Sequence, residues 1–410
     1  MSAKLYYFKL FHLSVMQIGL IGKANVGKST FFNAATDMSV ETGNYPFTTI
    51  QPNVGICFAR QRCVCSEFSI KDNPIHSICI DGNRFIPVNI VDVAGLVPGA
   101  HLGKGLGNKF LDDARRVDAI IHVVDASGST DKEGRASSPG SNDPHEDIEF
   151  VQNEFDLWIL SIIKRDWSKN MDRISNEQLL LKRFSGLGIT QEAIDASLAN
   201  SELRNKKINS WTESEILTYI KCLRQEAKPV TIAANKADIS LSDANIQALK
   251  QKHEFVIPCT SEGEILLRNA SKHGLIHYLP GDKSFEIRKN VNLSEKQSHA
   301  LDLVTNFMNK YSSTGIQHTI NTVCFDILHK IVVYPVEDEV EFKDKKGNVL
   351  PEAFLVDKGT TAKDLATMVH KDMETGFLFA IDARSKKRIG ANHELANNDI
   401  IKIVSASSRG

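Results

Sequence analysis

Short apolar runs alternate with polar, glycine-bearing turns along the first part of the chain. Residues 18–21, 88–93 and 119–124 are apolar, rich in β-branched side chains and bounded by turn residues, the pattern of strands buried on both faces. Residues 230–234 and 255–257 repeat it. Between these strands the period changes. Ile148, Val151, Phe155, Ile159 and Ile162 recur at three- and four-residue spacing, one face of a helix, and amphipathic stretches follow at 178–184 and 213–223. Strands alternating with helices predict an α/β sheet covered on both faces, and the helical block reads as an insertion into it. Residues 127–144 are rich in Ser, Gly, Asp and Lys, the composition of a mobile loop. Residues 290–328 return to helix. After His329, strands at 330–334, 377–381 and 400–404, a charged turn at 344–348 and a helix at 362–371 predict a small α+β unit of β-grasp type. The expected divisions are an N-terminal extension (1–15), a sheet domain in two parts with connecting helices (16–146 and 228–328), an inserted helical domain (147–227) and a terminal unit (329–410).

Composition narrows the possibilities. The chain has 410 residues, 42% apolar and 24% charged, an ordinary globular profile that excludes wholesale disorder and fibrous repeats. Lys and Arg number 49 against 50 Asp and Glu, so nucleic acid cannot be gripped by bulk charge and any such contact must be a local patch. No apolar run approaches the ~20 residues that span a bilayer. Seven cysteines, spread over a long chain, suit a reducing, cytoplasmic setting rather than a disulfide scaffold. The apolar cluster of residues 5–13 is broken by Lys9 and His12 and lacks the features of a secretory signal, so 1–15 reads as a peripheral extension or an upstream start choice.

Candidate chemistry begins where the first strand ends. Gly22-Lys23-Ala24-Asn25-Val26-Gly27-Lys28-Ser29, followed by Thr30 and a helical stretch, fits G-x-x-x-x-G-K-[ST] in full. Glycines let successive N–H groups turn inward around an anion, and a helix N-terminus adds positive potential. Lys28 would sit between β- and γ-phosphates, and Ser29 would offer an oxygen to Mg²⁺. Asp92-Val93-Ala94-Gly95 ends another strand, where a carboxylate can hold Mg²⁺ through water and the Gly95 N–H can sense the γ-phosphate. The glycines that follow, at 99, 103, 105 and 107, suit a segment that orders with one nucleotide state. Thr48-Thr49 lies between these motifs as a further source of a metal ligand. Asn235-Lys236-Ala237-Asp238 follows a buried strand. There Asp238 would accept from guanine N1 and N2, Asn235 would bond purine N7 and the Lys236 stem would cover the base. Thr260-Ser261-Glu262 is a candidate fifth element, its backbone reading guanine O6.

These strings, with NYPFTTIQP at 44–52, DVAGLVPG at 92–99 and GLGNKF at 105–110, resemble the YchF subfamily of the Obg-like P-loop GTPases. Residues 334–338 (YPVED), 347–351 (GNVLP) and 398–403 (NDIIKI) resemble a TGS domain, a β-grasp module. The resemblance implies a P-loop GTPase domain with an inserted helical subdomain and a C-terminal TGS domain. It implies a translation-associated switch that contacts the ribosome or rRNA, with no membrane and no DNA partner, and a monomer is expected. It favours Thr49 over Thr48 for Mg²⁺, giving Ser29, Thr49 and Asp92 as metal residues and Lys28, Thr49 and Gly95 as the catalytic set. Subfamily members with a degraded base-reading motif prefer ATP. Here the motif is intact, as in the archaeal branch and its yeast counterparts, and GTP/GDP is expected. An ATPase of the same fold, or a module that holds nucleotide without cycling, are the alternatives. Where many switch GTPases carry a water-orienting Gln, this chain has Leu96, so slow hydrolysis is expected, driven by the loop and the metal; His101, Lys132 or Arg135 could approach, but a solvated loop charge is the plainer reading of each. In related GTPases an Asn at the position of Asn25 ligates K⁺, which adds K⁺ to the expected cofactors.

Two signals stand apart. Cys63 and Cys65, with Cys57 and Cys79 near in sequence, could ligate zinc, although the spacing is not a CxxC pair and scattered structural cysteines are the plainer reading. Arg384, Lys386, Lys387 and Arg388 form a basic cluster that could meet rRNA phosphates or simply be a solvated turn.

Overall fold

The computed structural model describes residues 16–37, 53–93, 113, 115–164, 176–184, 187–370, 373 and 375–406. The first sheet has seven strands: β1 (Gln17–Ile21), β2 (Val54–Arg62), β3 (Ile78–Ile80), β4 (Asn83–Asp92), β5 (Ala119–Asp125), β6 (Val230–Asn235) and β7 (Val256–Pro258). Their order is β2-β4-β1-β5-β6-β7, with β3 on the far half of β4. The run from β4 to β7 is parallel, and β2 and β3 are antiparallel to β4. All seven residues of β5 are buried, as a central parallel strand covered on both faces requires.

The apolar pattern anticipated the parallel strands and left β2 unassigned. The reason is physical. Cys57, Phe58 and Ala59 are all buried because both faces of β2 are covered, so polar and apolar residues do not alternate there. Its polar end, Arg60 to Arg62, looks like a loop in sequence. In the fold Arg60 is held by the Pro280 carbonyl and Asp282, both at 2.6 Å.

On one face of the sheet lies α1 (Lys28–Thr36). On the other lies the helical block of α2 (Pro144–Lys164), α3 (Asn176–Phe184), α4 (Gln191–Asn200) and α5 (Glu213–Ala227). Ile21, Val93, Val117 and Ile120 belong to the same core as Ile159, Leu180 and Tyr219, so the block is fused to the sheet. Ile120 and Ile121 are neighbours on β5 and part company: Ile120 joins the helical block, and Ile121 joins Phe31 of α1. Proline at the start of α2 suits a first-turn position whose N–H has no helical partner.

The chain continues through α6 (Ser242–Lys252), α7 (Ser261–Lys272), a short hairpin of β8 (Ile276–His277) and β9 (Glu286–Ile287), α8 (Glu295–Tyr311) and α9 (Ile316–Asn321). Ile316 and Ile320 complete the core beneath α1. Gly315 makes that packing possible: its φ is +88°, and a Cβ there would stand 2.1 Å from the Pro258 carbonyl oxygen.

The terminal unit is a five-stranded sheet of β10 (Lys330–Val336), β11 (Phe354–Asp357), β12 (Phe377–Asp382), β13 (Lys387–Ile389) and β14 (Asp399–Ser405), crossed by α10 (Ala362–Val369). Its order is β11-β10-β14-β12-β13, with β10 and β14 parallel and the other pairs antiparallel, the β-grasp arrangement.

His122 sits on β5 with 1% of its surface exposed, and its Nε2 has no partner among the described residues. Burial opposes the imidazolium and pushes its pKa down to about 3 from 6.5. The folded state therefore binds fewer protons than the unfolded chain between those values. Stability is full above the unfolded pKa and falls as pH drops through this window, by up to about 1.4 kcal/mol per pH unit. Urea unfolding followed over that range should show this slope in the wild type and a shallower one in His122→Leu; parallel slopes would contradict it.

Candidate functional site

At the carboxyl end of β1 the chain turns through the phosphate-loop sequence into α1. Asn25 and Gly27 are both left-handed, with φ of 62° and 89°, and they reverse the backbone twist around a common concavity. Among the described residues, the N–H groups of Ala24, Asn25, Val26 and Gly27 donate to nothing. Only glycine suits position 27, because a Cβ would stand 2.3 Å from Asn235 Nδ2. Lys28 and Asp92 form an ion pair at this mouth, their side chains 15% and 22% exposed. Asp92 reaches that height because β4 runs beside β1 with Leu20 opposite Asp92, and Val93 N donates to Leu20 O at 3.0 Å. Ser29 is exposed on the first turn of α1 and Thr30 is half-buried beside it. Free inward amides, a lysine, a hydroxyl and a carboxylate at one strand end are a donor set that fits a polyphosphate and its Mg²⁺. Thr48, Thr49, Gly95, Leu96 and His101 lie outside the described residues.

The base-reading sequence arrives from the neighbouring strands. Asn235 ends β6, almost wholly buried. Its Nδ2 donates to Val26 O at 3.0 Å, and its Oδ1 accepts from Ser261 N at 3.1 Å and Ser261 Oγ at 2.8 Å. This amide fastens the phosphate loop to the start of α7, using its oxygen and one of the two Nδ2 hydrogens. Lys236 has φ of 57° and donates its ammonium to Asp125 at 2.8 Å. Asp238 is exposed and makes no hydrogen bond or ion pair with the described residues. Thr260 caps α7, its hydroxyl accepting from Gly263 N at 3.2 Å; Ser261 is buried and Glu262 is exposed.

Asp125 is the residue that sequence reasoning missed. It closes β5, is buried, and accepts from Ser127 N (3.0 Å), Ser127 Oγ (2.5 Å), Ser129 Oγ (2.9 Å), Thr130 Oγ1 and Lys236. Burial alone would raise its pKa, but the bonds from Lys236, Ser127 and Thr130 outweigh it and hold the carboxyl below the usual range. The expectation of a mobile loop over 127–144 is corrected here. Gly140 N donates to Ser127 O at 2.7 Å, Ser137 N to Ser129 O at 2.9 Å, and Asn142 Nδ2 to Gly128 O at 3.1 Å. The same small polar residues that suggest mobility supply the donors that knit the loop. A usable signal was present: a carboxylate at a strand end with hydroxyls two, four and five residues on.

The loop then reaches over the phosphate loop. Lys23 donates to Thr130 O and Asp147, each at 2.9 Å, and Asn25 Nδ2 donates to Gly134 O at 2.7 Å, leaving the Asn25 Oδ1 as a free oxygen among the described residues. Lys132 pairs with Glu146 at 3.1 Å on the surface, and Arg135 is exposed. The basic cluster of the terminal unit is largely turned to internal partners: Arg384 meets Glu67 and the Phe68 ring, Lys386 meets the Glu339 carbonyl, and Arg388 lies over Phe379.

A phosphate loop, an Asp at an adjacent strand end and an N-K-x-D sequence on one sheet, with a β-grasp unit appended, define the class: a P-loop GTPase with a TGS domain. Comparison with known proteins agrees. Residues 17–154 match the model of a 50S ribosome-binding GTPase, 233–338 that of the Obg-like GTPase YGR210-like, G4 motif-containing domain, and 342–405 the TGS domain. The chain is 51% identical to an uncharacterized GTP-binding protein of Methanocaldococcus jannaschii, over 95% of this chain and 99% of that one. It is 28% identical to the ribosome-binding ATPase YchF of Bacillus subtilis, over 88% and 87% of the two chains. A crystal structure of a GTP-binding protein from Pyrococcus horikoshii OT3 superposes with a TM-score of 0.75 at 38% identity, covering 95% of this chain and 100% of that one. The chain belongs to the YchF subfamily of the Obg-like P-loop GTPases. Among the described residues, no helix is long and apolar enough to cross a membrane.

Replacing Asn235 by Ala removes three bonds from a buried position. At about 1 kcal/mol each the expected loss is roughly 2–3 kcal/mol of stability, read by urea unfolding, with at least a tenfold loss of nucleotide affinity. Unchanged affinity would show that the loop holds its shape without this tie.

Proposed function

We propose that this protein binds GTP with Mg²⁺, hydrolyses it slowly, and uses the nucleotide state to regulate contact with the ribosome. The observation that carries the reading is the tie between the two halves of the site: Asn235 bonds the phosphate loop and Lys236 bonds Asp125, so the base-reading sequence and the anion nest are held as one body.

The triphosphate lies along the amides of residues 24–28, with Lys28 between the β- and γ-phosphates. Mg²⁺, held by Ser29, Thr49 and Asp92, would supply positive charge to the same oxygens. Gly95 N–H then bonds the γ-phosphate, and Leu96 has no group with which to polarise water, so turnover is slow. Guanine selectivity rests on Asp238. Its carboxylate stands free of protein partners among the described residues, and guanine N1–H and N2–H supply two donors. Adenine has neither donor at this edge: its N1 is an acceptor and its C2 carries no amino group, so the carboxylate would face a lone pair with no hydrogen bond. This favours GTP, although relatives are named as ATPases. The ribosome as partner is supported by relatives named as ribosome-binding ATPases and by the terminal TGS domain.

Competition binding should show GTP preferred over ATP, and Asp238→Asn should reduce that preference at least tenfold while leaving stability unchanged, because the side chain is exposed. Equal affinity for the two nucleotides in the wild type would sink guanine selectivity. Co-sedimentation with ribosomes should differ between a non-hydrolysable GTP analogue and GDP; identical pelleting in both would remove the switch.

A further inference from the structure

The β2–β3 connection carries a cluster that the nucleotide site does not use. Cys63 follows the last residue of β2, Cys65 lies in the tight turn after it, Asp72 lies further along the connection, and Cys79 is the middle residue of β3. Their three sulfurs and one carboxylate oxygen all lie within 4.8 Å of one another. Cys65 Sγ is 3.6 Å from Cys79 Sγ, and Cys63 Sγ is 3.3 Å from Asp72 Oδ2. Zinc–sulfur bonds of ~2.3 Å at tetrahedral angles set sulfurs about 3.8 Å apart, with slightly shorter edges to an oxygen. We propose that Cys63, Cys65, Cys79 and Asp72 form a structural zinc site that clamps the β2–β3 connection beneath the TGS domain.

The surroundings fit a closed, anionic cage. Cys63 and Cys65 are 1% and 6% exposed, which leaves no open coordination position for catalysis. Thiolates select a soft ion over Mg²⁺ or Ca²⁺. Arg84, wholly buried, donates to Asp72 Oδ2 at 2.9 Å, as an outer partner that orients a ligating carboxylate. It also supplies counter-charge to three thiolates and a carboxylate that carry more negative charge than one divalent ion cancels. Arg84 Nε and Tyr334 OH are buried beside the cluster without a hydrogen-bond partner among the described residues, and a charged thiolate cage would serve both. Cys57 is not part of it: its thiol faces Val88 O at 3.5 Å. Asp72 is the fourth ligand that the sequence reading did not name.

The site would stabilise a seam. Arg84 donates to Leu350 O at 3.1 Å, Asn73 N to Val349 O at 3.1 Å and Ile75 N to Pro351 O at 2.8 Å, so the clamped connection is the strip on which the TGS domain rests.

The test uses the full chain, purified nucleotide-free and without chelator. Elemental analysis should find about one zinc per chain. Cys65→Ser and Cys79→Ser should lose it, and Cys222→Ser should keep it. Because the cluster variants can fail to fold, the wild type stripped of metal is also titrated with Co²⁺. It should develop the absorption of tetrahedral, thiolate-bound cobalt and lose it on adding Zn²⁺. Stripped protein should be cleaved faster by protease between residues 63 and 79, and zinc should restore protection. Wild-type protein isolated without metal that takes up neither ion would overturn the proposal, as would a Cys65–Cys79 disulfide in peptide mapping.

Discussion

One buried amide holds the nucleotide end of this molecule together. Loops leave the carboxyl ends of β1, β6 and β7, and each would be free to wander if it met only solvent. Asn235 needs both halves of its side chain to prevent this: a donor for Val26 O and an acceptor for Ser261 N and Oγ. An Asp there would face the Val26 carbonyl with an acceptor, and an Ala would leave three buried groups unpaired. The parallel register of β5, β6 and β7 places those groups within reach, so sheet order is what makes the tie available.

The second layer of restraint comes from Asp125. A buried carboxylate is costly unless its oxygens are satisfied. Here two serines, a threonine and Lys236 satisfy them, and three of those four donors belong to one loop. Satisfying the carboxylate therefore folds the loop. The folded loop in turn offers Thr130 O to Lys23 and Gly134 O to Asn25 across the phosphate loop. Lys236 belongs to both layers, because its backbone follows Asn235 and its ammonium ends on Asp125.

Much of this was legible in the chain, and what was not has a common cause. Parallel strands announce themselves as unbroken apolar runs, and the phosphate loop, Asp92 and the 235–238 sequence are local strings whose chemistry can be read in place. The β2 strand could not be read that way, since a neighbour on each face erases the alternation. Asp125 has its signal in the hydroxyls of Ser127, Ser129 and Thr130, but that string gains its meaning only when they fold back toward the carboxylate. Likewise Asp72 joins three cysteines only in space, and Cys57, close to them in sequence, faces elsewhere. Local strings carry ligand chemistry; the ties that hold the ligand groups in place are long-range, and a linear pattern does not display them.

The β2–β4 pair carries this order across the molecule. Val54 opposes Val91 next to Asp92, and the pairing continues unbroken to Arg62 opposite Asn83, eight residues away and next to Cys63. At about 3.4 Å per residue this is a ribbon of roughly 27 Å. Cys63, Val64, Cys65 and Ile86 at its far end share one core with Tyr334, Val336, Phe342 and Leu350 of the TGS domain. Along its length Gln317 donates to Phe58 O at 2.6 Å, and Asn321 exchanges bonds of 2.9 Å with the Arg60 backbone, which pins β2 to α9. A domain attached through a flexible linker could take many orientations relative to a nucleotide. Here the carboxylate at the phosphate end and the apolar seat of the TGS domain stand on the same two hydrogen-bonded strands, so the position of the one fixes the position of the other.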